Sequence, residues 1–268
     1  MIDFGRLWMY YIACEVMKVL TEERQQIILE QLKLHNIVKL HDLIPLTGAS
    51  ESTLRRDLQD LENCHKLLRI HGGAQNVISL HEEPALSQKA AVHINEKKMI
   101  GQTAANLVQN HEVIFLDSGT TIQFMIPYLI EHTDLLVITN SVDNASMLAD
   151  YNVNTFLPGG KLKSSTKALV GANIIQTLEN YHFDRAFLGT NGFSVEAGYT
   201  TPDPEEAAIK SLAIAQSNQS YILSDSSKFS QVSFSRFATL DEVPLITDRL
   251  SEKESSVLSK YTKITEAI

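Results

Sequence analysis

One nine-residue stretch, Ser50-Glu51-Ser52-Thr53-Leu54-Arg55-Arg56-Asp57-Leu58, constrains this chain more than any other. The turn Thr47-Gly48-Ala49 precedes it, and Ser50 is a residue type that caps a helix by accepting from a backbone N–H. At about 100° per residue, Leu58 and Leu61 stay within about 40° of Leu54, whereas Ser52, Arg55, Arg56 and Gln59 fall on the far side. One face is built to pack. The other offers two guanidinium forks and hydroxyls, the donors a helix needs in a DNA major groove. An ordinary amphipathic helix with a solvated basic face would share this composition, so the flanking sequence decides.

Thr21 through His35 reads as a first helix, with Thr21 as N-cap, Glu22 and Glu23 in the first turn, and Ile28 and Leu32 spaced for a core face. Leu40 to Leu46 is a second short apolar-spaced segment, ending at the Gly48 turn. After the Ser50 helix comes Leu67-Leu68-Arg69-Ile70-His71-Gly72-Gly73-Ala74, strand-like, with a basic tip and a glycine pair suited to a tight turn. Three helices and a small hairpin over residues 19–74 make a winged helix-turn-helix. Its candidate DNA contacts are Ser50, Ser52, Thr53, Arg55, Arg56 and Gln59 on the helix, and Arg69 and His71 on the wing.

Net charge excludes a generic polyanion binder. Residues 19–74 hold seven Lys and Arg against eight Asp and Glu, and residues 75–268 hold 14 against 22. The positive groups must therefore act by placement on one helix face and one wing. With 268 residues, 44 % of them hydrophobic, the chain can bury a second core beyond a DNA-binding module. Two cysteines, Cys14 and Cys64, form no pairing framework and imply a reducing, cytoplasmic compartment. The nine histidines lack ligand spacing, so no metal is expected. The apolar run Leu7–Ala13 is too short to span a bilayer, and Asp3 offsets Arg6, so no membrane association is expected. Residues 1–18 read as an extension, disordered or ahead of a true start near Met17.

Residues 75–92, polar and containing Pro84, read as a connection to a second domain over 93–268. There, strand-like runs (Glu112–Leu116, Leu135–Ile138, Asn154–Leu157, Phe183–Leu188, Tyr221–Leu223, Val243–Ile246) alternate with helical ones (Lys97–Val108, Ile122–Ile130, Val142–Ala149, Pro204–Ala215). This alternation predicts an α/β domain with a mostly parallel sheet covered on both faces. Five strand ends run into polar, glycine-containing or hydroxyl-rich segments: Asp117-Ser118-Gly119-Thr120-Thr121, Thr139-Asn140-Ser141, Pro158-Gly159-Gly160-Lys161, Gly189-Thr190-Asn191-Gly192 and Ser224-Asp225-Ser226-Ser227-Lys228. Such residues are ordinary in turns. In an open α/β sheet, however, these loops gather in one crevice where ligands bind. With Lys161, Lys210 and Lys228 nearby in sequence, the expected ligand is small, polar and anionic. Ser118–Thr121 suits a phosphate, and Asp117 would repel one unless it accepts from hydroxyls or caps the loop. No GxGxxG or GxxxxGK[ST] is present, so no nucleotide cofactor is indicated.

These motifs together resemble the DeoR family of bacterial transcription regulators over residues 19–268. The resemblance rests on Thr53-Leu54-Arg55-Arg56-Asp57-Leu58, Leu61-Glu62, Leu67, Arg69 and His71-Gly72-Gly73-Ala74. In the second domain it rests on Asp117–Thr121, Thr139–Ser141, Gly159-Gly160, Gly189 with Asn191-Gly192, Glu206 with Lys210, and Asp225 with Ser227-Lys228-Phe229. It implies a winged helix-turn-helix joined to a sensor domain similar to sugar-phosphate isomerases and CoA transferases. It also implies repression of a sugar-catabolic operon relieved by a phosphorylated sugar. The run Tyr199-Thr200-Thr201-Pro202-Asp203-Pro204-Glu205-Glu206-Ala207 is most similar to fructose-operon regulators, which implies fructose 1-phosphate as effector. Lys210 or Lys228 would then be counter-charge to the phosphate, and Glu206 and Asp225 would meet sugar hydroxyls or pair with those lysines. The chain departs from the family in having His65 where glycine is usual, and in Pro45 within the short second helix. The competing expectation is an isomerase- or deaminase-like enzyme built on the same acid and lysine residues. A palindromic operator read by two half-sites predicts a homodimer or homotetramer joined through the sensor domain.

Overall fold

The computed structural model describes residues 21–35, 37–64, 66–70, 72–76, 80 and 85–268, and the chain divides into two compact units after Ile78. The expected extension over 1–18, together with His65, His71 and Pro84, lies outside the described residues.

The first unit runs from helix Thr21–His35 through β1 (Ile37–Lys39) and helices Leu40–Thr47 and Glu51–Asn63 to β2 (Leu67–Ile70) and β3 (Gly73–Asn76). Its three strands are antiparallel in the order β1-β3-β2, so the wing has one more strand than the sequence predicts and ends at Asn76 rather than residue 74. Three-residue β1 was hidden because only Val38 of it is buried. A Cβ on Gly73 would collide with the Val38 carbonyl, so glycine is what lets β3 lie against β1. Thr21 is already helical and not a cap. Pro45 falls in the last turn of Leu40–Thr47, and left-handed Gly48 (φ 64°) closes that helix by donating to Ile44 O at 2.9 Å. Ile28, Leu32, Leu43, Leu54, Leu58, Leu61 and Leu67 form the core, as the helical spacing requires. Beside it, the Arg24 Nε and Nη2 atoms donate to the two Asp57 carboxylate oxygens at 2.7 and 3.0 Å. This two-pronged pair joins the first helix to Glu51–Asn63 and holds the Arg24 guanidinium above its ordinary pKa.

The second unit opens with helices Leu86–Ala90 and Ile94–Ala105. Residues 75–92 are thus partly structured: the wing takes their first two, and Leu86–Ala90 is helical. The strands follow as β4 (Val113–Leu116), β5 (Leu136–Thr139), β6 (Asn154–Phe156), β7 (Lys161–Lys163), β8 (Ala168–Val170), β9 (Phe183–Gly189), β10 (Gly192–Ser194), β11 (Gly198–Thr201), β12 (Ser217–Leu223), β13 (Ser235–Ala238), β14 (Leu245–Thr247) and β15 (Ile264–Glu266). Seven of them form a sheet in the order β15-β14-β12-β9-β4-β5-β6, every pairing parallel. Alternate residues serve two cores. Phe115, Ile138, Ala186, Leu188, Ile222 and Leu245 enter one, and Ile114, Leu116, Val137, Phe187, Leu223 and Ile246 the other. That is why these strands read as continuous apolar runs.

Helix Pro204–Ala215 has the predicted bounds, with Asp203 capping it through a 2.7 Å bond from Glu205 N and proline in the first turn. The single helix expected over Ile122–Ile130 is instead Thr120–Gln123 followed by a 3-10 helix, Ile126–Glu131. Pro127, with no N–H to donate, explains the break. The antiparallel β7–β8 hairpin and the three-stranded layer β10-β11-β13 were not expected.

The Arg24–Asp57 pair makes an asymmetric prediction. Arg24→Ala leaves a carboxylate that is 4 % exposed without its counter-charge, whereas Asp57→Ala leaves an arginine that is 12 % exposed and nearer water. Arg24→Ala should destabilise the first unit by about 3 kcal/mol and the reverse change by less. Chemical denaturation of the two variants at pH 7 checks this.

Candidate functional site

The parallel sheet changes direction at β4. The chain steps outward to β5 and β6, then resumes on the other side with β9, β12, β14 and β15, so β4 and β9 are the point at which strand order reverses. Ligands of open α/β sheets bind beside such a point, at the carboxyl ends of the strands. Leu116 on β4 lies level with Thr139 on β5 and with Phe187 on β9, and Leu223 on β12 lies level with Gly189. Four of the five predicted loops, after β5, β4, β9 and β12, therefore end side by side.

Asp117, 1 % exposed, is the centre of this row. Its Oδ2 accepts from Gly189 N at 2.9 Å and from Lys210 Nζ. Lys210, 3 % exposed, also donates to Gly189 O at 3.0 Å and lies 5.5 Å from the Phe237 ring centroid. The loop after β4, the loop after β9 and helix Pro204–Ala215 are thus pinned by one buried ion pair. Lys210 therefore does not take the alternative of pairing with Glu206 four residues before it, and Asp117, expected to accept from hydroxyls or to cap its loop, accepts instead from a backbone N–H and an ammonium. Glu206 turns to the β7–β8 hairpin, accepting from Lys163 Nζ at 3.1 Å and Thr166 Oγ1 at 2.7 Å, while Lys163 also reaches Asp203 at 2.7 Å. Partial burial would raise the Asp203 carboxyl, but its contact with Lys163 and the backbone N–H bonds at the helix start hold it below its ordinary pKa.

That hairpin folds over the loop after β5. Leu169 N donates to Asn140 O at 2.7 Å and Val142 N to Lys167 O at 3.1 Å. Thr139, Asn140 and Ser141 are all at most 1 % exposed, and Ser141 caps helix Val142–Asp150 by accepting from Asn144 N at 3.2 Å. Asn144 Nδ2 in turn donates to Asp117 O at 3.0 Å. Beside these bonds, Ser118 Oγ, both side-chain polar atoms of Asn140 and Asn144 Oδ1 are buried without a hydrogen-bond partner. A buried unpaired polar atom costs about 1–3 kcal/mol, so such a group of them marks where the polar atoms of a ligand would be welcomed.

The remaining candidates are placed as follows. Gly119 precedes the short helix in which Thr120 and Thr121 are buried. Asn191 is half-buried, and its Oδ1 accepts from Thr201 Oγ1 at 3.2 Å. Asp225, 3 % exposed, accepts from Ser227 Oγ, and no ion pair joins it to half-buried Lys228. Gly159, Gly160 and Lys161 follow edge strand β6 and are exposed, away from the reversal point. Lys161 Nζ lies 3.7 Å from Glu205, a solvated pair worth little. Lys97, Lys163, Thr166 and Asn144 were not anticipated. Lys97 was legible as a charge on an apolar face, since it shares that face with Ile100 and Ala104. Lys163 and Thr166 could not be placed without the hairpin.

In the first unit, Ser50 caps Glu51–Asn63 with its side chain accepting from Thr53 N at 3.3 Å, and shares hydroxyl bonds with Ser52 and Thr53 at 3.0 and 2.9 Å. Arg55 and Arg56 are exposed on one face. Arg55 reaches Glu51 at 2.6 Å, a solvated i,i+4 pair that a phosphate or base edge would readily replace. Arg56 makes no ion pair among the described residues. Gln59 is engaged with the wing rather than free: its Oε1 accepts from Arg69 Nη1, its amide nitrogen donates to Glu62 and Asn63, and Glu62 accepts from Arg69 N at 2.8 Å. Helix and β2 therefore move as one.

Among the described residues there is no cluster of three metal-ligating side chains and no helix long and apolar enough to cross a membrane. Residues 24–79 match the DeoR-like helix-turn-helix domain and residues 92–249 the DeoR C terminal sensor domain. The chain is 42 % identical over 234 residues to an uncharacterized HTH-type transcriptional regulator, FruR, of Bacillus subtilis, covering 87 % of this chain and 93 % of that one. It is 37 % identical to the HTH-type transcriptional repressor GlcR of the same organism, covering 85 % and 89 %. It is 34 % identical to the lactose phosphotransferase system repressor of Streptococcus mutans, covering 91 % and 98 %. Among solved structures, ribose 5-phosphate isomerase from Plasmodium falciparum matches half the chain at 16 % identity and a TM-score of 0.37, covering 52 % of that chain.

Proposed function

Since this chain belongs to the DeoR family of transcriptional regulators, we propose that it represses a sugar-utilisation operon and is released from operator DNA by a phosphorylated sugar bound in the crevice beside β4 and β9. The chain is a regulator and not an isomerase or deaminase, because it matches DeoR helix-turn-helix and sensor domains and its relatives, matched over most of their length, are named as transcriptional regulators. It acts where the DNA is, in the cytoplasm. Fructose 1-phosphate is the effector we favour, on the likeness of residues 199–207 to fructose-operon regulators.

The observation that carries the sensor half is the neutralised floor of the crevice. With Asp117 bonded to Lys210, unpaired Ser118 Oγ and the Asn140 amide can meet an anion without the Asp117 carboxylate opposing it. Ser118–Thr121 would hold the phosphate. Because Lys210 is committed to Asp117, Lys228 is the counter-charge. Thr139, Ser141, Asn191 and Asp225 would face the sugar, and Glu206 would hold the β7–β8 hairpin through Lys163 and Thr166, while Gly159, Gly160 and Lys161, exposed after edge strand β6, take no part. On DNA, Arg55 and Arg56 make the main contacts, Ser50, Ser52 and Thr53 reach the backbone, and Arg69 and His71 add affinity from the wing. A homodimer or homotetramer presents two such helices to a two-fold operator.

Two outcomes are expected. Replacing Arg55 and Arg56 together with Ala should abolish specific operator binding, at about 1–3 kcal/mol per base contact, while the melting temperature hardly moves. Mobility shift and thermal denaturation read the two effects, and undiminished binding contradicts the assignment. Titrating fructose 1-phosphate into the protein–operator complex should lower DNA affinity at least tenfold, about 1.4 kcal/mol of coupling. Release by unphosphorylated fructose would remove the phosphate from the account, and release by fructose 6-phosphate alone would change the effector and leave the crevice.

A further inference from the structure

Lys97 has no part in the site as described so far. It lies in the first turn of helix Ile94–Ala105 and is 3 % exposed, and its Nζ donates to the main-chain carbonyl of Lys89. A buried ammonium can donate three hydrogen bonds, and among the described residues this one has a single acceptor. Asp225 and Lys228, at the carboxyl end of β12, are near enough to act on its charge, Asp225 favouring it and Lys228 opposing it, as Lys89 does. Glu96, its neighbour in sequence, favours it. Burial has the largest effect and lowers its pKa to about 8, so it still carries its charge near neutrality. Lys97 thus joins the polar row of the crevice to the segment that precedes the sensor fold.

Among the described residues, that segment is tied down at these places. Phe234 N donates to Leu80 O at 3.0 Å, Leu86 N to Ser165 O in the β7–β8 turn at 3.3 Å, and Lys97 Nζ to Lys89 O. His93, held at φ 53°, folds helix Leu86–Ala90 back toward Ile94–Ala105, which brings the Lys89 carbonyl to the lysine. Of these ties, only the third uses a charged group next to the crevice.

We propose that Lys97 is a second cation for the anionic effector, and that drawing its ammonium toward the effector breaks its bond to Lys89 and loosens helix Leu86–Ala90. The inference rests on the effector reading above, and adds to it the residue that passes ligand binding to the segment leading from the DNA-binding unit. Two like charges, Lys97 and Lys228, repel while the crevice holds no anion, and a phosphate between them reverses that repulsion.

The test uses the full-length protein with fructose 1-phosphate and inorganic phosphate as probes. Calorimetric titration of wild type and Lys97→Met should show at least tenfold weaker fructose 1-phosphate binding in the variant, with circular dichroism establishing that it is folded. In wild type, saturating fructose 1-phosphate should raise hydrogen exchange at the backbone amides of residues 86–91. Equal affinity in the folded variant, or unchanged exchange in ligand-saturated wild type, overturns the proposal. Should Lys97→Met not fold, the wild-type exchange result decides alone. A wild-type protein that binds neither probe refutes the effector reading itself, and the role of Lys97 with it.

Discussion

The sensor fold depends on the contact of Asp117 with Lys210. It links residues 93 positions apart, at the end of β4 and within helix Pro204–Ala215, and both side chains are almost fully buried. Burying two charges is costly, and the cost is recovered only where geometry and further hydrogen bonds are good. Here Gly189 supplies both, its N–H to the carboxylate and its carbonyl to the ammonium. The result is a crevice floor with no net charge, edged by buried polar atoms that lack partners. An anion approaching it is governed by the lysines around the floor and not by Asp117.

The DNA-binding unit uses a related device for another end. Arg24 and Asp57 fix one helix on the next, and Arg69 with Gln59 and Glu62 fixes the wing on that helix. The exposed arginines are then carried by a rigid frame. A unit with a slight excess of acidic residues can contact a duplex on these terms, because two guanidinium groups on one face matter more than the sum of charges. The solvated Arg55–Glu51 pair costs little to exchange for DNA.

How much was legible in the sequence follows from the range of the interactions concerned. Helix periodicity and Ser50 capping are local, and the recognition helix was legible down to its cap. The parallel strands were legible because burial on both faces leaves continuous apolar runs, such as 113–116 and 136–138. Strands β1, β7 and β10, outside the parallel sheet, carry no such pattern and went unseen. Pro127 was visible in the sequence, yet the helical spacing around it hid the break that its missing N–H enforces. The ion pairs were least legible. Glu206 and Lys210 have the spacing of a helical pair, but tertiary partners took both, because Asp117 and the hairpin lie closer than a neighbouring turn can offer.

The most direct test of the account is a double-mutant cycle on Asp117→Asn and Lys210→Met, read by calorimetric unfolding of the full-length chain. Each single change should destabilise the sensor unit by roughly 3 kcal/mol, because each strands a buried charge, and the double variant should be less destabilised than the two singles summed, by at least about 1.5 kcal/mol. Additive effects would mean that the two residues act independently, and would contradict the assignment of this pair as the contact that assembles the crevice.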